Sequence, residues 1–128
     1  MNAPYLWVSP EPDGGYMRIA VIGGRYKNEE QLSRIAKANG YQLEYWEGHV
    51  NGRGVEGIRS AVARAALVVI VTDVNSHGAV FVAKKAARQL EKPILIVQKF
   101  GAVRLKVLLD ALDRRRSLDE VGTEIAAS

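Results

Sequence analysis

Residues 67–78 read LVVIVTDVNSHG. Leu67, Val68, Val69, Ile70 and Val71 form an aliphatic run with no polar alternation, so a strand built from them must be covered on both faces. Such a run reads as a central strand of a parallel sheet. Thr72 and Asp73 end it, and Val74, Asn75, Ser76, His77 and Gly78 come before a helical pattern. Open α/β sheets bind ligands just past the carboxyl ends of their strands. This exit is therefore the expected functional centre, with His77 its most telling residue.

Upstream, residues 17–22 (MRIAVI) read as a second buried strand, followed by the loop Gly23-Gly24-Arg25-Tyr26-Lys27. Asn28 can cap the next helix, with Gln31 three residues on completing a capping box. Glu29 and Glu30 suit its first turn, Leu32, Ile35 and Ala36 its inner stripe, and Asn39-Gly40 its stop. Residues 41–46 alternate as a strand that Glu44 places near an edge. Residues 48–54 (GHVNGRG) are expected to be a flexible loop, and Val55, Ile58 and Val62 mark a helix with Arg59 and Arg64 outward.

Downstream, Ser76 is a natural N-cap. Val80, Ala83, Ala87 and Leu90 are expected as the buried stripe of that helix, and Lys84, Lys85 and Arg88 as its wet side. Pro93 opens a strand over residues 94–97, and residues 98–101 (QKFG) form its exit. A helix from Ala102 to about Arg114 carries Val103, Leu105, Val107, Leu108, Leu109, Ala111 and Leu112. That is more than one apolar stripe, which predicts burial on several sides and a homodimer contact through residues 102–114.

Strands alternating with helices across short connections give a parallel sheet with helices on both faces. The expected fold class is α/β: a three-layer, Rossmann-like or flavodoxin-like domain with a four-stranded parallel sheet in the order 2-1-3-4. The domain is placed at 17–114, with an N-terminal arm at 1–16 and a C-terminal tail at 115–128. The arm holds three of the four prolines, and Trp7 in it is expected to dock on a surface. In this topology strands one and three are neighbours whose connections leave on opposite sides. They open a crevice between Gly23-Gly24-Arg25 and residues 73–77, with residues 98–101 on the rim.

With 128 residues the chain suits one domain with a hydrophobic core of its own. It contains no cysteine, which excludes thiolate metal sites, thiol catalysis and disulfides. The apolar runs are too short to span a bilayer, and the first residues lack the regions of a secretory signal. A soluble, cytoplasmic protein without a membrane partner is expected. The net charge of +4 favours anionic partners.

Gly23-Gly24 permits close backbone approach and positive φ, and the helix after it offers free N–H groups to an anion. The dinucleotide fingerprint is incomplete, because GGRYKN lacks a third glycine at the right spacing. Arg25 and Lys27 favour a phosphate or carboxylate. His77 has three readings: a packed first-turn residue, a ligand-binding or acid/base group beside Asp73, or a ligand to a metal or haem. A metal would need further ligands from Asp73, His49 or another subunit, and one His with one Asp is a weak zinc site. The stretch 72–78 loosely resembles the acidic magnesium motif of Toprim nucleases and primases, but glycine and arginine stand where a first-strand carboxylate is required. A phosphoryl-accepting receiver domain fails for the same reason. Arg114, Arg115 and Arg116 complement a helix dipole. With Lys84, Lys85 and Arg88 they also raise nucleic-acid contact, though no aromatic platform is read among them.

Taken together these residues resemble domain-of-unknown-function family 2325 of bacteria, over about Arg18 to Leu112. The resemblance rests on Gly23-Gly24 after the first strand, Gly48 after the second, VVIVTD followed by Ser76-His77, the pair Lys84-Lys85, Lys92-Pro93 and Gly101. Ala66 stands where the family often has Asp, Gly78 where it often has Asn, and a cysteine sometimes found near that loop is missing. The resemblance implies a small Rossmann-like fold and brings no established activity with it.

The expected function is binding or sensing of a small anionic ligand, nucleotide-like or otherwise phosphorylated, without a catalytic constellation. Gly23, Gly24, Arg25, Asp73, Ser76, His77 and Lys99 are the expected ligand-binding residues. The alternatives are a haem- or metal-binding sensor using His77, an enzyme with Asp73 and His77 as an acid/base pair, and a nucleic-acid accessory protein.

Overall fold

The structure is a computed structural model that describes residues 17–24, 29–46, 52–73, 75–114, 120 and 122. Strands and helices alternate throughout: β1 (Met17–Ile22), α1 (Glu29–Ala38), β2 (Tyr41–Trp46), α2 (Gly52–Arg64), β3 (Leu67–Val71), α3 (His77–Gln89), β4 (Ile94–Val97) and α4 (Ala102–Asp113). The expected arm at 1–16, the Asn28 cap and most of the tail at 115–128 lie outside the described residues.

The four strands form one parallel sheet in the order β2-β1-β3-β4, as the alternation predicts. β1 is the hub, pairing Ile22 with Trp46 on one side and with Ile70 on the other. All five residues of β3 are buried, which explains why its sequence never alternates. β2 is an edge strand, as Glu44 suggested. There Glu44 pairs with Arg64 of α2 and accepts the indole N–H of Trp46 at 3.2 Å.

Successive side chains on a strand point to opposite faces, so the sheet divides the core in two. Ile19, Val21, Val69, Val71, Leu95 and Val97 meet Leu32 and Ala36 of α1 and the leucines of α4. On the other face Ala20, Ile22, Val68 and Ile70 meet Ile58, Ala61 and Val62 of α2 and the alanines of α3.

Two expectations change here. α2 begins at Gly52 and absorbs glycines assigned to a flexible loop. Gly57 inside it is required by packing, since a Cβ there would enter the Trp46 ring. The buried stripe of α3 is Ala79, Ala83, Ala86 and Ala87, while Val80 is only half-buried and Leu90 is 48% exposed. The alanines let α3 lie close against α2, and Leu90 is the C-cap, where the chain already turns away. In α4, Leu105, Leu108, Leu109, Ala111 and Leu112 are buried in the chain's own core. Val103 is the large apolar side chain α4 leaves exposed.

Candidate functional site

At the carboxyl edge of the sheet the backbone ladder does not end evenly. Between β2 and β1 it runs on past the strand, with Gly23 N–H donating to Trp46 C=O at 2.8 Å. Between β3 and β4 it also continues, with Thr72 and Asp73 N–H donating to Val97 and Gln98 C=O at 2.8 and 3.0 Å. Between β1 and β3 the paired register stops at Ile22 and Ile70. The connections explain the gap: β1 leads to α1 on one face of the sheet and β3 to α3 on the other. This is a topological switch point, where open α/β sheets place their ligands.

Asn75 fills the gap. Its Nδ2 donates to Val71 C=O at 2.6 Å and to Ile22 C=O at 3.3 Å, holding together the ends of two strands that no longer pair. Its Oδ1 is buried and has no hydrogen-bond partner among the described residues. Gly23 and Gly24, at φ +100° and +84°, wrap past this amide. At Gly23 a side chain has no room, because a Cβ would run into the Asn75 amide and the Val71 carbonyl. The need for glycine at 23 therefore comes from Asn75 as well as from the turn.

The chain then enters α3. Ser76 is extended, at φ −94° and ψ 152°, and its Oγ accepts the N–H of Ala79 at 3.0 Å, so the expected N-cap is present. Its hydroxyl proton remains available to a ligand. The N–H groups of His77 and Gly78 have no partner among the described residues, as expected of a first helical turn. His77 is exposed and its imidazole is not sealed among aliphatic side chains.

The structure thus brings Gly23, Gly24, Asp73, Ser76, His77 and Lys99 to one edge of the sheet, with Asp73, His77 and Lys99 exposed. Arg25 lies outside the described residues, as do Lys27 and His49. Asp73 and His77 make no hydrogen bond to each other among the described residues, so an acid/base dyad gains no support from the geometry. No cluster of three His, Cys, Asp or Glu residues able to hold a metal occurs among the described residues.

Two features escaped the sequence reading. One is Asn75, which looked like one more polar loop residue. The other is Phe81, which is 65% exposed on the outer side of α3 and has the Lys85 ammonium 5.9 Å from its ring centre. An aromatic ring does stand among the α3 cations, contrary to expectation.

Comparison with known proteins gives the family. A family described as an uncharacterised protein conserved in bacteria, domain-of-unknown-function family 2325, matches residues 18–112. The chain belongs to that family. Its relatives include a UPF0751 protein of Desulfitobacterium hafniense, 24% identical over 86 residues that cover 66% of this chain and 84% of that protein. A UPF0751 protein of Bacillus anthracis is 30% identical over 83 residues, covering 65% of this chain and 82% of that protein. One from Bacillus cereus is 29% identical over 83 residues. The matched span of family 2325 runs from β1 into α4 and contains the whole switch point. Among the described residues no helix is long and apolar enough to cross a membrane.

Proposed function

We propose that this member of family 2325 binds a small anionic ligand, nucleotide-like or otherwise phosphorylated, at the switch point between β1 and β3. The observation that carries the reading is the meeting of two positive-φ glycines with the Ser76-capped start of α3 across a gap in the ladder. Glycines without side chains let a ligand approach the backbone, and free first-turn N–H groups favour negative charge. Asn75 forms the floor of the site, Ser76 and His77 face the ligand as donors, and Lys99 adds positive charge from the β4 exit. Arg25 is assigned to the anion from its place in the sequence.

A thermal-shift screen against inorganic phosphate and a panel of nucleotides tests this, since a ligand that binds the native state raises its apparent stability. A shift in the native protein that is lost in Arg25→Ala and His77→Ala supports the site. A protein that no member of the panel stabilises ends the reading.

The exposed, unpartnered imidazole of His77 favours a second reading, a sensor that carries haem on His77. A Soret band in freshly purified protein that disappears in His77→Ala supports it, and colourless protein that takes up no added haemin rules it out.

A further inference from the structure

Among the four helices, the excess of positive charge falls on one layer. α2 and α3 carry Arg59, Arg64, Lys84, Lys85 and Arg88 against a single acid, Glu56, among the described side chains. α1 and α4, on the other face of the sheet, carry four acids and four bases and cancel. The described side chains of α2 and α3 are therefore four positive charges ahead, while those of α1 and α4 are neutral. Arg64 is taken up by Glu44, which leaves the excess around α3, a helix without one acidic residue.

On that helix the alanines face α2 and the sheet, and the opposite side holds Phe81, Lys85 and Arg88, all exposed. Phe81, at 65% exposed, contributes nothing to the core. Residues three, four and seven apart lie along one face of a helix, so ring and cations form a single stripe.

We propose that this outer face of α3 binds single-stranded nucleic acid, with a base stacked on Phe81 and the flanking phosphates held by Lys84, Lys85 and Arg88. A cationic track with an aromatic platform is how single strands are held without sequence preference. A duplex keeps its bases stacked on one another and offers the ring nothing. An anionic bilayer is recognised by a helix with a broad apolar face, whereas here one phenyl ring stands among cations. An acidic protein surface satisfies the cations and gives the ring no planar partner. The inference is independent of the anion site, which lies at the sheet edge and uses neither Phe81 nor the α3 cations.

Fluorescence anisotropy with a labelled oligothymidylate tests it. The native protein binds with a log–log salt slope of about −2, for three phosphate contacts on a single strand. Phe81→Ala weakens binding about five- to a hundredfold and leaves the slope unchanged. Lys85→Gln and Arg88→Gln each reduce the slope by about 0.7. Lys106→Gln on the neutral layer changes neither. Thermal melts show that each exposed variant remains folded. No binding at low salt overturns the proposal. So does an unaltered affinity in Phe81→Ala, an equal loss in Lys106→Gln, or stronger retention on phosphatidylserine vesicles than on the oligonucleotide.

Discussion

Asn75 sits where the ladder between β1 and β3 stops, and its amide gives two donors to carbonyls that would otherwise lose their partners on leaving the sheet. A buried carbonyl without a donor costs about 1–3 kcal/mol. Asn75→Asp is expected to lose about that much at neutral pH, because a carboxylate then faces two carbonyl oxygens. The same geometry raises the pKa of the new carboxyl in the folded state above its unfolded value of about 3.9. The folded variant therefore holds its proton more tightly than the unfolded chain. Its stability is fullest in acid, below the unfolded value, and falls as pH rises through the folded one. Urea melts across the acid range should show this fall in Asn75→Asp and not in Asn75→Ala. Gly23→Ala tests the opposite side of the contact. Positive φ and collision with the Asn75 amide together should cost about 3 kcal/mol, read as a lowered urea midpoint.

Each helix end records how closely local chemistry follows the fold. α3 finishes in a Schellman arrangement, with Lys92 N–H reaching Ala87 C=O at 2.8 Å and Glu91 N–H reaching Arg88 C=O at 3.2 Å. The residue that must turn left-handed there is Glu91, at φ 55°, where glycine is the usual occupant. Glu91→Gly should therefore stabilise the protein by about 1 kcal/mol, measured by chemical denaturation. The start of α3 was legible in the sequence, because Ser76 precedes a helical pattern and hydroxyl caps are local. The strands and their order were legible too: the β3 run admits one reading, and crossover handedness leaves few topologies. Asn75 was not legible, because its partners are the carbonyls of Val71 and Ile22, the second of them 53 residues away in the chain. Of the α3 stripe, Ala83 and Ala87 were legible and the other two residues were not. Valine and leucine outrank alanine in hydrophobicity, but close approach to α2 selects the smaller side chain. Phe81 went unread, since nothing local says that an aromatic residue on a helix faces outward until the helix is docked.

For the whole molecule, the edge strand β2 is joined to the layer of α1 and α4 through two tyrosines. Burial pushes the Tyr41 hydroxyl above its ordinary 10.0, and the charge of Asp113 pushes it the same way. Tyr45 moves strongly upward, first through burial and then through Glu29. A folded pKa above the unfolded one gives stability that is complete below the unfolded value and is lost as pH rises through the folded one. The protein should weaken in alkali from about pH 10 upward, and Tyr41→Phe should weaken less steeply. Denaturant midpoints followed into the alkaline range check this.

The central place of β1 has a consequence for biosynthesis. While the ribosome is still making α2, β1 has only β2 beside it, and its other edge waits for residues 67–71. During that interval Ile19, Val21 and Ile22 lack a neighbour on that side, and pairing that spans so much chain closes slowly. A nascent chain halted before Leu67 should thus be a client of chaperones, and one that has completed α4 should not.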